Sequence, residues 1–425
     1  PVFFAPIIRL ISNFFVKNLK KNIILTTSTE YGLSYIPKYN SKVCLVNVEG
    51  VLGKRSIVAP LFQILNFMTK RNIKKIYLPI KISEDKSIKL SVSMLLDKVK
   101  DPVLQNVREI VEEKMLTAIL YTSIMREETS ILFKKMKPSL LIAHQVRWLD
   151  GAVLGDVAKK NKIRSVLISH GTHPVPADLV SFYEHKDNSR GLLFSSLCSE
   201  TITQSPQAKK VSKLFMPELK TRNYQPITWG YRNIFKKNKN SKIKTILHAA
   251  STKNLAGRPW IYETSNEYIK GLHDLMLAVD ECDGIRLVIR LRTCQEYSAE
   301  TISKLLPKTN NCEIKTSGSF IEDLGEADML ISYSSTTIEE ALYARKPVGL
   351  YGGNGRYCHL PGASIISKKE QRNPVYLLQP ERLGEMLKKI LEVHADKPLT
   401  DDELKDYIWL DDTPKREEFF TNLSD

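Results

Sequence analysis

One feature constrains this chain more than any other. Short apolar runs bounded by polar turns recur along nearly its whole length, separated by longer stretches of helical periodicity. In the first half the runs are residues 22–28, 42–48, 74–80, 139–145, 165–171 and 191–197, with helical patterns at 102–135 and 151–161. The second half has runs at 244–250, 285–291, 312–316, 328–334, 346–352 and 374–379, with helical patterns near 262–280, 296–306, 320–326, 336–345 and 381–394. Continuous apolar strands are buried on both faces, so the alternation predicts parallel sheets covered by helices. Between the two sets lies FKKNKNSKIK (235–244), a basic stretch without the interleaved aromatics that stack nucleic-acid bases, which reads as a solvated linker.

A chain of 425 residues exceeds what one core holds. The sequence therefore predicts an α/β protein of two Rossmann-like, doubly wound domains facing a central cleft. The expected divisions are residues 1–234, residues 235–395, and a tail, 396–425, that packs back on the N-terminal domain. In such folds ligands bind beyond the carboxyl ends of the strands. No GxGxxG or GxxxxGK[ST] loop follows any of these strands, so a dinucleotide fingerprint and a P-loop are both absent.

The formal charge of +16, from 63 Lys+Arg against 47 Asp+Glu, favours an acidic partner: a phosphorylated ligand or an anionic membrane surface. Nucleic acid is not expected, since no zinc-finger, RRM or KH pattern occurs. Six cysteines without a CxxC pair suggest reduced thiols and a cytoplasmic setting. Aspartates and histidines form no ligand-spaced cluster, so neither a metal nor another cofactor is predicted. The stretch 1–22 has at most eight consecutive uncharged residues, too few to span a bilayer. Its apolar positions suit one helix face, either as an interfacial anchor or packed on the protein's own core.

Four hydroxyl residues in a row stand in SYSSTTIEEAL (332–342), between an apolar run and a helical pattern. Helix N-termini carry unpaired N–H groups and partial positive charge, which with Ser334, Ser335, Thr336 and Thr337 suits a phosphate. Plain capping by Ser335 or Thr336, with a glutamate completing a capping box, is the other reading. Asp328, its apolar run, the hydroxyl turn, TTIEEALYARK and PVGLYGG together resemble the nucleotide-binding half of GT-B glycosyltransferases. The likeness covers about 25 residues, and the strand–helix alternation extends it loosely over 22–394. It implies that Ser334, Ser335 and Thr336 touch donor phosphates and that Glu340 approaches the ribose.

SVLISHGTHP places His170 and Gly171 at a strand end. It looks like the His-Gly element in the acceptor half of capsule, teichoic-acid and lipopolysaccharide transferases. An imidazole can take a proton from a sugar hydroxyl near neutral pH, and Gly171 admits substrate close to the backbone. His173 shares that role or binds a phosphate, while a histidine that only bonds a turn is the alternative. In AHQVRWLDG (143–151), Asp150 caps the following helix on one reading. On the other, Asp150-Gly151 resembles the end of an acidic base motif of some sialic-acid and Kdo transferases, with Arg147 as an acceptor contact. Glu49-Gly50 offers the same chemistry after an earlier run.

Arg290 and Arg292, two apart on one strand, face the same way and would grip a phosphate or carboxylate. Related surface-polysaccharide transferases carry a His-Pro pair there, and this chain does not. Lys253 and Arg258, in the loop after the first strand of the second half, are further phosphate candidates. The resemblance implies a metal-independent glycosyltransferase of surface polysaccharide synthesis. Its donor would be a UDP-sugar or a CMP-activated Kdo- or sialic-acid-like sugar, and its acceptor a glycan or lipid-linked glycan. The expected location is cytoplasmic and peripheral on the inner membrane. A nucleotide-sugar 2-epimerase and a non-catalytic GT-B-like partner protein are the alternatives.

Overall fold

A computed structural model describes residues 22–27, 43–51, 73–80, 85–171, 178–234, 242–249, 263–291, 298–352, 359–365, 372–395 and 397–421. Contacts divide the chain into two compact units, Pro1–His170 with Phe194–Ile202 and Arg416–Asp425, and Gly171–Leu193 with Thr203–Lys415. The stretch 1–21, most of the linker and residues 353–358 lie outside the described residues.

The first sheet contains β1 (Asn22–Thr26), β2 (Val43–Val51), β3 (Ile73–Pro79), β4 (Leu140–Ala143), β5 (Arg164–Ile168), β6 (Glu200–Thr203) and β7 (Thr221–Asn223). Its order is β3-β2-β1-β4-β5-β6-β7, and pairing from β3 through β6 is parallel. The chain starts in the middle, winds out to β3, then returns across β1 to build the other half. The order therefore reverses between β1 and β4, the place where such sheets open a ligand crevice. Leu25, Val46, Leu141 and Leu167 from four adjacent strands are fully buried and share a core with Met125.

Among the described residues the helices that accompany these strands are α1 (Lys86–Asp97), α2 (Pro102–Asn106), α3 (Arg108–Met136), α4 (Leu149–Lys160), α5 (Leu179–Ser189) and α6 (Pro206–Phe215). Their starts follow local rules. Asp85 accepts the N–H groups of Ser87 and Ile88 to open α1, and Asp101 with Pro102 opens α2. The run 191–197, expected as a strand, is a series of turns instead, and the next strand is the more polar ETIT of β6. Polar residues are tolerated there because Arg164 donates Nε (2.8 Å) and Nη2 (2.7 Å) to the carboxylate of buried Glu200.

The second sheet contains β8 (Lys244–Ala249), β9 (Ile285–Arg290), β10 (Cys312–Lys315), β11 (Met329–Ser332), β12 (Val348–Leu350) and β13 (Val375–Leu377). Its order, β10-β9-β8-β11-β12-β13, is parallel throughout, and again reverses beside its first strand, between β8 and β11. All six strands fall on the expected runs. Helices α7 (Ser265–Asp280), α8 (Ala299–Leu305), α9 (Phe320–Glu326), α10 (Thr337–Tyr343) and α11 (Leu383–Val393) alternate with them. Thr264 and Glu267 form a capping box at α7.

After two short helices, α12 (Asp401–Leu404) and α13 (Glu418–Thr421), the described chain ends. Between them Trp409 donates Nε1 to Thr203 O (2.9 Å) and its backbone N–H to the Tyr343 hydroxyl (3.1 Å).

Candidate functional site

In the first unit the residues of interest stand where β1 and β4 diverge. Thr27, just past β1, accepts the backbone N–H groups of His144 (2.9 Å) and Gln145 (3.3 Å) through Oγ1, which fixes the turn leaving β4. Gln145 Oε1 in turn accepts the N–H groups of Arg147 (3.3 Å) and Trp148 (3.0 Å). Trp148, the N-cap of α4, supplies no capping side chain of its own. A Cβ on Gly151 would lie 2.5 Å from Gln145 O, so this turn requires glycine.

The turn sets His144 beside His170, which follows β5. His170 Nδ1 is 3.1 Å from His144 Nε2, with ring centroids 4.9 Å apart and planes tilted by 49°. His170 is exposed and His144 half-buried. Burial, and then the charge His170 can carry, push His144 down to about 3, so its ring is neutral at neutral pH. One of the facing nitrogens carries the shared hydrogen and the other accepts it. An exposed imidazole oriented this way can accept a proton from a hydroxyl. His144 was not among the sequence-derived candidates, although it leaves β4 much as His170 leaves β5.

Asp150 does not cap α4. Its Oδ1 accepts the Tyr121 hydroxyl at 2.5 Å and its Oδ2 accepts the Gly50 N–H at 3.2 Å, so both oxygens are engaged. Burial, followed by the hydrogen bond to Asp150, raises the Tyr121 phenol above its ordinary value. A Cβ at Gly50 would come within 2.1 Å of the Tyr121 oxygen, which explains the glycine after Glu49. Glu49 is half-buried in β2, and its charge also reaches Tyr121. The Arg147 guanidinium lies 5.7 Å from the centroid of the Trp148 ring.

In the second unit the hydroxyl turn joins β11 to α10, at the equivalent reversal. Ser332 Oγ donates to Ala249 O (2.8 Å), tying β11 to the end of β8. Ser334 is buried, and Ser335 Oγ accepts the Thr337 N–H at 3.3 Å. Thr336 is the N-cap but makes no side-chain capping bond, so the capping box of the alternative reading does not form. Gly171 has φ +126°, a conformation open to glycine, and a Cβ there would meet Thr336 Cγ2 at 3.0 Å.

Glu340 is hydrogen-bonded to the hydroxyl of Tyr231, in the 3-10 turn Ile227–Asn233. Burial and then neighbouring Glu339 push its carboxyl up to about 7, against the opposing effect of Tyr231. Arg290 is already engaged: its guanidinium pairs with Asp323 and donates to Ser317 O (3.1 Å) and Gly318 O. Asp323 is shared with Lys315 Nζ at 2.9 Å. Arg290 therefore ties β9 to α9. Arg292, Lys253, Arg258 and His173 lie outside the described residues. Among the described residues no group of three or more His, Cys, Asp or Glu is placed to hold a metal ion.

Two parallel sheets, each reversed beside its first strand and lined by helices, define a fold of GT-B type. Two similar solved structures share it. One is Staphylococcus aureus MnaA with UDP, at 12% identity and TM-score 0.51, covering 95% of this chain and 97% of that one. The other is the UDP-GlcNAc 2-epimerase of Neisseria meningitidis bound to UDP-GlcNAc, at 14% identity and TM-score 0.50, covering 95% of this chain and 99% of that one. No family model and no curated protein sequence matches the chain.

Proposed function

We propose that the chain is a metal-independent glycosyltransferase that moves a sugar from a nucleotide-activated donor to a hydroxyl of a glycan or lipid-linked acceptor in surface polysaccharide synthesis. The observation that carries the reading is the exposed imidazole of His170, held 3.1 Å from the neutral ring of His144 beyond the carboxyl ends of β5 and β4. His170 takes the proton of the attacking hydroxyl, as an inverting transfer requires, and His144 orients it. Asp150, bonded to Tyr121 and Gly50, shapes the acceptor side with Glu49 and Arg147, rather than acting as the base.

Ser334, Ser335 and Thr336 receive the donor phosphates in this reading, and Glu340 the ribose. It is supported by the absence of a capping bond at Thr336. A uridine nucleotide is the preferred donor because structures of the same fold are named as complexes with UDP and UDP-GlcNAc.

The test has two stages. UDP, CMP, GDP and ADP are first compared for the rise they cause in melting temperature, since a ligand that binds only the folded state stabilises it. UDP-sugars are then incubated with and without acceptor glycans while nucleotide release is measured. Acceptor-dependent release that H170A abolishes is expected. Conversion of UDP-GlcNAc to its epimer with no acceptor present would replace this reading with the epimerase, and a melting temperature that no nucleotide moves would favour a non-catalytic partner.

A further inference from the structure

Helix α1 and the turn after it expose apolar side chains at an unusual density. Val92 and Leu96 turn inward and are buried, whereas Leu90 (61% exposed), Met94 (55%) and Leu95 (52%) lie open, followed by Val99 (39%). Scattered exposed apolar residues are ordinary, but a concentrated set of them marks an interaction surface.

The spacing gives this surface its character. Lys86, Leu90, Met94 and Lys98 follow one another at intervals of four, so they form one ridge along the helix, opposite Val92 and Leu96. The two apolar members occupy its middle and the two lysines its ends. Leu95 and Val99 make a second such pair beside it.

Charge then decides what fits. All three carboxylates between residues 85 and 101 are committed: Asp85 and Asp101 cap α1 and α2, and Asp97 pairs with Arg108 at 2.6 Å. Lys86, Lys89, Lys98 and Lys100 are exposed, and none is paired with a carboxylate among the described residues. What remains is four exposed ammonium groups beside an apolar ridge. Glu109, Glu112 and Glu113 confine the basic character to α1 and its following turn, because they begin α3.

We infer that α1 is a docking surface for an anionic lipid bilayer. The helix lies flat, Leu90, Met94, Leu95 and Val99 enter the boundary between headgroups and acyl chains, and the lysines reach out to anionic headgroups. No helix among the described residues is long and apolar enough to cross a membrane, so this contact is peripheral. The inference does not depend on which reaction the chain catalyses.

The full chain is sedimented with vesicles of phosphatidylcholine alone and of phosphatidylcholine with 30% phosphatidylglycerol, at low and at physiological salt. Expected are binding to the anionic vesicles, weakening as salt rises, and a roughly tenfold or greater loss of binding in both L90E/M94E and K86Q/K89Q/K98Q/K100Q. Both variants change exposed side chains, and an unaltered melting temperature shows that each remains folded. Wild-type binding by the folded L90E/M94E variant, or no binding by the parent chain, overturns the proposal. A parent chain that is dimeric in solution, ignores vesicles and becomes monomeric as L90E/M94E overturns it in favour of a second copy as the occupant.

Discussion

His170 and His144 divide one task between an exposed ring and a half-buried one, and substitution should separate their contributions. H170A removes the proton acceptor, so kcat should fall about 10²–10⁴-fold with little change in the donor's KM. H144Q keeps a hydrogen-bonding group but loses the imidazole. It should lower kcat less and displace the acid limb of the pH–rate profile, a readout that a purely structural residue would leave in place. A second cluster should respond in stability rather than rate. Y121F leaves the Asp150 carboxylate without its 2.5 Å donor and should cost about 1–3 kcal/mol in denaturant unfolding. G50A, whose new methyl would overlap the Tyr121 oxygen, should cost at least as much. The sequence made His170 legible because a His-Gly pair at a strand end is conspicuous. His144 was not, because its significance comes from the parallel register that levels Ala143 with Leu167. Asp150 was visible as an acidic residue at a helix start, but its partners lie 29 and 100 positions away in the chain.

At the scale of elements, α10 joins the hydroxyl turn to a carboxyl group with an unusual titration. Glu340 is pushed up to about 7 from an ordinary carboxyl value of 4.5. A raised folded-state value means that the fold prefers the protonated form. The stability this gives is present below about 4.5 and is lost as pH rises through 7. E340Q keeps the neutral shape and a group to meet Tyr231, so it should melt higher than the parent chain at pH 8 and near it at pH 4.5. Equal melting temperatures at pH 8 would show that Glu340 ionises there without penalty. Elements of the second sheet were readable because each strand is a short apolar run between polar turns. In the first sheet β6 was missed because its buried Glu200 is made tolerable by Arg164, a partner that no local pattern announces. Helix α1 was missed for another reason: Leu90, Met94 and Leu95 on its outer side blur the contrast between a buried stripe and a polar one.

For the molecule as a whole, three histidines among the described residues add to its sensitivity to acid. Burial holds His144 at about 3 and both His248 and His394 at about 4, below an ordinary value of 6.5. Each is neutral in the fold and takes up a proton more readily when unfolded. The stability these histidines contribute is therefore whole above about 6.5 and is lost as pH falls toward 4, opposite in sign to that of Glu340. His248, almost fully buried in β8, should contribute up to roughly 3 kcal/mol of that loss. Urea unfolding of H248Q between pH 7 and 4 should show a shallower decline than the parent chain, and an identical slope would remove His248 from the account. The fold type, two doubly wound units, was legible in the alternation of apolar runs, whereas the strand order was not. The division into units was less so, because it depends on contacts between segments far apart in sequence. The first unit includes Arg416–Asp425, where Phe419 is buried. On the ribosome the strands of that unit emerge before most of the second unit, whereas its segment from Arg416 follows it. A unit assembled in this way lacks one of its own segments throughout the synthesis of the second.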